Sequence, residues 1–371
     1  MKRIVLLTAL IFINVFAQTE DKKETKKRHE FKIIKQIETT TVKSQDRTNN
    51  CWAFATTSFI EAELLREGKG RFDLSEMFFV RENYPLKAER FIRYHGETNF
   101  SAGGLAHDVI NVIGKHGIIP EYAYKGKIVD TAEYSNGELH NVLSAMLKTI
   151  AERKRISVVW KDAVNSVLDV YLGKVPKTFE YEGNEYTPET FSQFLEFNPD
   201  NYVELTSYTH IPFYKKVDLQ IPDNWQNAEY YNIPLDDLMR VMNYSLEKGY
   251  SFVWDGAVGR DYFYRSGYAV IPVDDWKESD KPEIEKKITQ AKRQKAFDTY
   301  LATDDHLMHV TGIAEDQAGT RFYYTKNSWG TKRGYEGFWY MSEPYVRLMT
   351  ISVMVHKNAI PEELKKKLGL E

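Results

Sequence analysis

Cysteine is nearly missing from this sequence of 371 residues, because Cys51 is the only one. A single cysteine cannot form a disulfide within the chain, which excludes a disulfide-stapled scaffold and leaves a free thiol. An excess of positive charge is missing as well: 50 lysines and arginines stand against 53 aspartates and glutamates, and the formal net charge is −3. This balance gives no electrostatic bias toward nucleic acid, so no nucleic-acid partner is expected.

Long hydrophobic runs are confined to the first residues, MKRIVLLTALIFINVFAQTED. Two basic residues there precede an apolar run from Ile4 to Phe16, and Val15 and Ala17 stand at small-residue cleavage positions. The run is shorter than the roughly 20 apolar residues that cross a bilayer. Residues 1–17 therefore have the pattern of a secretory signal peptide. We expect export to the periplasm or the extracellular space, and no stable membrane anchor.

The rest of the chain is predicted to form a charged linker and one large domain. Hydrophobic residues make up 42% of the sequence and aromatic residues 14%, which is ample for a large core. Residues 18–31, QTEDKKETKKRHEF, are charged and aperiodic, as in a solvated linker. Residues 32–371 are assigned to the domain. An insertion at about 130–230 contains two amphipathic helical stretches and a hairpin that turns at Gly183 and Asn184.

The stretch NNCWAFATTSFIEAEL predicts a helix with the lone cysteine in its first turn. Asn49 or Asn50 can cap a helix that runs from Cys51 to about Glu67, and Gly68 supplies the stop. An isolated cysteine is ordinarily a small buried side chain. At a helix N-terminus, however, unpaired backbone N–H groups and the helix dipole stabilise a thiolate. The position predicts a lowered pKa for this thiol and a reactive sulfur.

A reactive thiol needs a proton shuttle, and the C-terminal third of the chain supplies candidates. HLMHVTGIAE and TRFYYTKN read as strands joined by a turn from Asp316 to Gly319. Such a hairpin brings His306, at the entrance to the first strand, close to Asn327, at the end of the second. The Asn carboxamide can then orient one imidazole nitrogen and leave the other facing Cys51. Taken alone, a histidine at this position is more often structural.

Together these segments resemble the papain-like cysteine peptidases. VKSQDRTNNCWAFATTSFIEAEL resembles the active-site segment of that family, with Gln45 six residues before Cys51. Further family segments follow in family order: DLSEMFFV, the pair Gly103 and Gly104, DHLMHVTG, and KNSWGTKRGYEGFWYM. The resemblance implies an α+β, two-lobed fold. Its helical lobe carries the cysteine, and its antiparallel β lobe carries the histidine and the asparagine.

The resemblance also implies roles for the matched residues. Four of them match catalytic positions: Cys51 as the nucleophile, His306 as the general acid and base, Asn327 as the residue that orients the histidine, and Gln45 as an oxyanion donor. Four more match positions that line or support the cleft: Trp52, Gly103, Gly104 and Trp329, the last of which covers the Asn and His pair.

His309 is the competing histidine. The family pattern places the catalytic histidine six residues before a glycine, and counting back from Gly312 reaches His306. On an alternating strand, the odd offset of three residues points His309 to the opposite face. His306 is therefore preferred as the base.

Within this superfamily, the helical insertion, YVELTSY and the final HKNAIPEELKKKL resemble the bleomycin hydrolase and bacterial aminopeptidase C branch. That branch includes hexamers, so a homo-oligomer is an open alternative. The chain has Asn49 and Asn50 where the branch has Gly-Arg before the cysteine. In the branch the C-terminal tail enters the cleft and restricts cutting to the N-terminal end, whereas this sequence stops at KKKLGLE. From that difference we expect aminopeptidase activity together with cleavage of N-acetylated peptides.

The reaction expected from these residues is hydrolysis of peptide bonds through an acyl-enzyme. The partners are peptide substrates, and neither a cofactor nor a metal is expected, because no cluster has ligand spacing. Two alternatives stay open at this point. The first is an inactive binding protein that keeps the fold. The second is a thiol acyltransferase of the transglutaminase-like kind, whose mechanism also uses a cysteine and a histidine.

Overall fold

The computed structural model describes residues 29–129, 133–258, 262–273 and 284–370. The predicted signal peptide and residues 18–28 of the predicted linker lie outside this part of the chain. The last linker residues belong to the folded structure instead, since His29 is buried with its Nδ1 3.2 Å from Asp316 Oδ2, and Phe31 begins a strand.

The first half of the described chain is mainly helical, and the second half is mainly β-strand. The helices are α1 (Cys51–Arg66), α2 (Glu76–Arg93), α3 (Ala106–His116), α4 (Gly137–Ala151), α5 (Trp160–Leu172), α6 (Pro188–Leu195), α7 (Leu235–Glu247), α8 (Gln290–Asp298), α9 (Glu343–Met349) and α10 (Glu362–Leu368). The strands are β1 (Phe31–Gln36), β2 (Phe179–Tyr181), β3 (Asn184–Tyr186), β4 (Tyr202–Thr206), β5 (Lys215–Asp218), β6 (Glu229–Asn232), β7 (Phe252–Gly256), β8 (Tyr268–Ala269), β9 (His306–Asp316), β10 (Arg321–Lys326), β11 (Phe338–Ser342) and β12 (Thr350–His356).

One large sheet organises the second half. Its strand order is β5-β6-β4-β12-β7-β9-β10-β11-β8, and β1 pairs with β9. The pairs β4 with β6 and β8 with β11 are parallel, and the other pairs in this order are antiparallel. Both the helical lobe and the largely antiparallel β lobe were predicted, so the α+β class is confirmed.

Helix α1 lies at the centre of the molecule. Residues 51–64 of this helix are all buried, as expected for a helix that is packed on every side. Its neighbours are the helices of the first half and the sheet, because Val253 of β7 and Leu307 of β9 join the apolar cluster that also contains Phe59 and Ile60. The start of α1 therefore sits where the two lobes meet.

The hairpin formed by β9 and β10 turns as the sequence predicts. Asp316 closes the turn, because its Oδ1 accepts from the backbone N–H groups of Ala318 and Thr320 at 2.9 Å. Gly319 has φ +77°, which a glycine adopts without steric cost. The turn fixes the register of the two strands and thereby brings His306 and Asn327 to the same end.

The predicted insertion contains the elements expected from its sequence. Helices α4 and α5 are followed by the β2 and β3 hairpin, and α6 begins at Pro188 with the Thr187 side chain accepting from Thr190 N. The hairpin turns at Glu182 and Gly183, with φ values of 49° and 78°, one residue earlier than predicted. Helix α10 packs on the sheet lobe through Leu364 and Leu368.

Among the described residues, no helix combines the length and the hydrophobicity that a membrane crossing requires.

Candidate active site

Cys51 is the first residue of α1, as predicted, and its side chain is 8% exposed. The backbone N–H groups of Leu307, on β9, and of Trp52 lie close enough to the sulfur to favour its thiolate and lower its pKa, against the larger effect of burial. The sulfur therefore lies between the helix start and the strand that begins at His306. The two lobes meet at this thiol.

The helix start is capped differently from the prediction. Asn50 is the N-cap residue, but its side chain makes no capping hydrogen bond. Its backbone carbonyl accepts from Ala53 N at 3.0 Å and Phe54 N at 3.3 Å, and its Nδ2 lies 3.9 Å from Met77 Sδ. The fully buried carboxamide is thus used for packing between α1 and α2, and backbone groups begin the helix.

His306 and Asn327 form the pair that the hairpin predicts. Nε2 of His306 lies 2.8 Å from Oδ1 of Asn327, and Asn327 Oδ1 also accepts from the backbone N–H of Ser328 at 2.7 Å. The ring of Trp329 stacks on the imidazole with centroids 4.8 Å apart. With Nε2 held by the carboxamide, Nδ1 is the ring nitrogen left for a reacting group.

Gln45 is held beside this pair. Its Nε2 donates to Thr48 O at 2.7 Å, and its Oε1 accepts from Ser328 Oγ at 2.6 Å. A carboxamide NH₂ has two N–H donors. The contact with Thr48 uses one of them, which leaves the second for an oxyanion.

Trp52 and Gly104 pack tightly on one side of the cleft. Trp52 Nε1 donates to Ala102 O at 3.2 Å. A Cβ added to Gly104 would lie 2.7 Å from Asp108 Oδ2 and 3.0 Å from the Trp52 ring. Only glycine fits this contact, so the backbone here approaches the tryptophan as closely as it can.

His309 is part of the lobe interface and not of the pair. It is fully buried, its Nδ1 lies 2.9 Å from Ser58 Oγ on α1, and its ring packs edge-on against Phe59. Leu307, two residues earlier, also faces the helical core, whereas Met308 faces the sheet-lobe core. The predicted alternation along β9 is therefore present, and it separates the two histidines.

The pKa values of the site depart from the sequence-based expectation. Burial raises the pKa of the Cys51 thiol to about 12, with further raising by the charges of Asp223 and Asp255. Burial lowers the pKa of His306 to about 4, against the opposing effect of the hydrogen bond that its Nε2–H donates to Asn327 Oδ1. The prediction of a thiol with a lowered pKa is wrong for the free protein, because enclosure by both lobes outweighs the helix terminus. Thiol and imidazole are both neutral at pH 7.

Three carboxyl groups near the cleft were missed by sequence reasoning: Asp223, Asp255 and Asp304. They come from the loop before β6, from β7 and from the residues just before β9. Asp304 Oδ2 accepts from Asp223 N at 3.1 Å. The DDH tripeptide that ends at His306 was the available signal for Asp304, but single aspartates elsewhere gave no signal for the other two.

A buried ion-pair network ties the two lobes together behind the site. Lys43 Nζ lies 2.7 Å from Glu76 of α2 and 3.7 Å from Glu61 of α1. Lys326, the residue before Asn327, donates to Ser58 Oγ at 2.8 Å. The network anchors the end of β10 to α1 and thereby supports the asparagine.

One compact group of possible metal ligands occurs in the described ranges: Glu63, Glu67 and His356. The Arg66 guanidinium already lies 2.9 Å from Glu63 and 2.8 Å from Glu67. His356 Nδ1 accepts from Asn358 N at 3.0 Å. The group is therefore satisfied as an ion-pair network on the far side of α1.

The family model and the similar proteins found by comparison are all peptidases. A sequence model described as the Peptidase C1-like family matches residues 2–371. Aminopeptidase G from Lactobacillus delbrueckii subsp. lactis is 23% identical over 378 residues, which cover 90% of this chain and 85% of that protein. Aminopeptidase C from Lactococcus lactis subsp. cremoris is 23% identical over 365 residues, which cover 87% of this chain and 82% of that protein.

A solved structure has the same fold. The crystal structure of PepW from Lactobacillus rhamnosis HN001 superposes with a TM-score of 0.71 at 20% identity, covering 92% of this chain and 85% of that one. The superposition confirms the predicted papain-like fold for the chain as a whole.

Proposed function

The chain belongs to the Peptidase C1-like family as a cysteine peptidase of the papain-like aminopeptidase C branch, and from this premise we propose that it hydrolyses peptides through Cys51, His306 and Asn327. The observation that carries the proposal is the 2.8 Å contact between His306 Nε2 and Asn327 Oδ1, at the strand end that also presents the Leu307 N–H to the Cys51 sulfur.

In the proposed reaction the sulfur of Cys51 attacks the scissile carbonyl carbon. Because thiol and imidazole start neutral, the S–H proton moves to His306 Nδ1 as the S–C bond forms. The carbonyl oxygen becomes an oxyanion, which accepts from the Gln45 amide and the backbone N–H of Cys51. His306 then gives its proton to the leaving amine as the C–N bond breaks.

Deacylation uses the same groups in reverse roles. Water attacks the thioester carbonyl while His306 accepts its proton, and the carboxylic acid product leaves as the S–C bond breaks and the proton returns to sulfur. Asn327 holds the imidazole in one orientation through both steps, and Trp329 covers the pair from solvent.

Removal of single amino acids from peptide N-termini is the activity we propose. Its support is the set of relatives, because proteins named aminopeptidase G and aminopeptidase C match 87% or more of this chain. The physiological location we propose is outside the cytoplasm, supported by the pattern of residues 1–17. Intact mass of the exported protein tests the location: a mature chain that begins at Gln18 is expected, and retention of residues 1–17 in the exported form contradicts it.

The test of the activity compares the wild type with Cys51→Ser and Cys51→Ala. The wild type is expected to hydrolyse aminoacyl coumarin amides and to be labelled covalently by a peptidyl epoxide. Cys51→Ala should do neither, while Cys51→Ser keeps the fold with a weaker nucleophile. A wild type without hydrolysis or labelling would favour the inactive binding protein. Amine-dependent product that exceeds hydrolysis would favour the acyltransferase.

A further inference from the structure

Three carboxyl groups converge on the cleft from both lobes. Asp223 Oδ2 rests against the Cα of Gly103, since a Cβ on this glycine would overlap that oxygen. Asp304 is joined to Asp223 through the 3.1 Å bond from the Asp223 N–H. Asp255 lies on β7, where its Cα pairs with Leu307, the residue whose N–H reaches the Cys51 sulfur. The group therefore borders the nucleophile.

The buried member of the group has an unused oxygen. Asp255 is 2% exposed, its Oδ2 is 3.4 Å from Ser352 Oγ, and its Oδ1 has no hydrogen-bond partner. Because Val253 on the same strand faces the helical core, alternation along β7 turns Asp255 toward the lobe interface as well. A buried carboxyl oxygen without a hydrogen-bond partner costs free energy unless a ligand satisfies it.

The group has no direct ion-pair partner in the described part of the chain. In the described ranges none of the three carboxylates takes part in an ion pair. The nearby Lys87 ammonium is committed to the carbonyl oxygens of Gly103 and Ser101, and influences Asp223 only through its charge. Burial and the neighbouring carboxylates raise the pKa of Asp255 well above its usual range, so the negative charge of the group lies on Asp223 and Asp304. The charge of Asp223 contributes to the raised pKa of the Cys51 thiol, which places this carboxylate near the nucleophile.

A peptide ammonium matches this arrangement better than a metal ion does. The compact three-ligand group found in the described part of the chain is Glu63, Glu67 and His356, and the cleft carboxylates do not form another. An ammonium has three N–H donors that point in different directions and can reach separate acceptors. In an N-terminal residue bound for cleavage, the ammonium is a single residue away from the reacting carbonyl, within the ~3.8 Å spacing of neighbouring Cα atoms.

We propose that Asp223 and Asp304, backed by Asp255, bind the free α-ammonium of the substrate and so restrict cleavage to the first peptide bond. The inference rests on the proposed peptidase function and names its specificity residues. A blocked amine cannot replace the missing cation, which leaves the carboxylates desolvated and unpaired when the substrate binds. This reverses the expectation that acetylated peptides are cleaved, because that expectation considered only the end of the sequence.

The experiment measures kcat/KM for alanyl coumarin amide and for its N-acetyl form with the wild type, Asp223→Asn and Asp304→Asn. Each substitution keeps the size of the side chain and one acceptor oxygen while removing the charge. We expect about 10- to 100-fold loss on the free amine, with the acetylated substrate unchanged or improved. A ratio of the two kcat/KM values that stays at the wild-type level in both variants would overturn the proposal.

Asp305→Asn is the matched control, because it removes an exposed neighbouring charge from the same segment. Measured at pH 8, above the pKa of about 7 of Asp304, where this carboxyl is ionised with or without Asp305, it is expected to act on both substrates alike, so its ratio stays constant. A peptide with lysine at its second position, free and acetylated, tests the other cationic ligand. If Asp223→Asn and Asp304→Asn lost a preference for lysine at this position but kept the wild-type preference for the free amine, the proposal would also be overturned. A wild type that cleaves both forms equally would refute this inference while leaving the peptidase function intact.

Discussion

Ser58 Oγ on helix α1 lies 2.9 Å from Nδ1 of His309, so this histidine contacts helix α1 and is not part of the reacting pair. The two histidines of β9 can therefore be separated by substitution. His306→Ala is expected to lower kcat by about 10²- to 10⁴-fold, because it removes the proton shuttle. His309→Ala should keep most of the reactivity of Cys51. It should mainly lower the stability of the fold, because it removes a hydrogen-bond partner of Ser58 and leaves a buried cavity.

The measurement is the rate of covalent labelling by a peptidyl epoxide, together with thermal unfolding of each variant. His306→Ala should unfold near the wild-type temperature and label slowly. If His309→Ala were instead the variant that fails to label while still folded, the assignment of the base would have to be exchanged.

Gln45→Ala is expected to lower kcat by about 10- to 1000-fold, the usual loss for an oxyanion donor. The structure adds a stability cost of about 1–2 kcal/mol, because the side chain also bonds Thr48 and Ser328. Ser328→Ala is the control, since it breaks the same Gln contact but keeps the amide donor. An unchanged kcat with a raised KM in Gln45→Ala would assign this residue to substrate binding.

The sequence predicted those parts of the site that local patterns encode. The hairpin that joins His306 to Asn327 and the separation of His309 follow from turn residues and strand alternation. The bounds of α1 were also predicted, although the side-chain cap expected at its start is not made. The paired histidine and asparagine are close in space because they are close across a short hairpin, where register leaves little freedom.

Other features depend on contacts between distant segments, which no local pattern contains. The carboxyl groups of Asp223, Asp255 and Asp304 come from three separate places in the chain and meet only in the folded cleft. The pKa of Cys51 rises because the β lobe covers the helix terminus. Strand β12, with the sequence TISVMVH and every residue buried, shows no alternation, because both its faces are covered.

The pH dependence of the reaction separates the base from the specificity group. His306 must be neutral to accept a proton, and its pKa of about 4 means that labelling of Cys51 should rise as pH increases through about 4 and then stay level. Burial and the charge of Asp223 raise the pKa of Asp304 to about 7, with Asp305 adding to the effect. Attraction for an ammonium should therefore increase as pH rises through about 7.

For a free-amine substrate, kcat/KM is expected to rise near pH 7 and to fall again as the α-amine, with a pKa near 8, loses its proton. Asp304→Asn should abolish the rise near pH 7 and leave the limb near pH 4. The acetylated substrate serves as the control and should lack both features near neutrality. A wild-type profile that is the same for both substrates would contradict the assignment.

His107 makes a stability prediction that does not depend on catalysis. Burial disfavours its charged form, but the Glu204 carboxylate 2.8 Å away outweighs this and raises the pKa of His107 to about 9. The folded pKa exceeds the unfolded value of about 6.5, so the stabilisation is complete below pH 6.5 and is lost as pH rises through 9. His107→Gln should therefore cost more at pH 6 than at pH 10, with a difference of at most about 3 kcal/mol.

Denaturant unfolding at both pH values measures this difference. Glu204→Gln is the matched variant, because it removes the other half of the pair and should show the same pH trend. Equal losses for His107→Gln at pH 6 and pH 10 would mean that the histidine is uncharged in the folded protein.

The two glycines of the cleft predict opposite consequences for the same substitution. In Gly103→Ala the new Cβ meets the Oδ2 end of the partly exposed Asp223, which can swing away, so the fold should survive. In Gly104→Ala the Cβ meets the Asp108 carboxylate at 2.7 Å and the Trp52 ring at 3.0 Å, and both are buried. That variant should lose about 1–3 kcal/mol through overpacking.

If Asp223 binds the substrate ammonium, Gly103→Ala should lower the preference for free over acetylated substrate while leaving labelling of Cys51 by the epoxide close to the wild-type rate. Gly104→Ala, once corrected for its folded fraction, should keep the preference, because Asp223 stays in place. Thermal unfolding and the two kcat/KM values decide between these outcomes. A Gly103→Ala variant that folds, labels and keeps the wild-type preference would show that the position of Asp223 does not govern recognition of the amine.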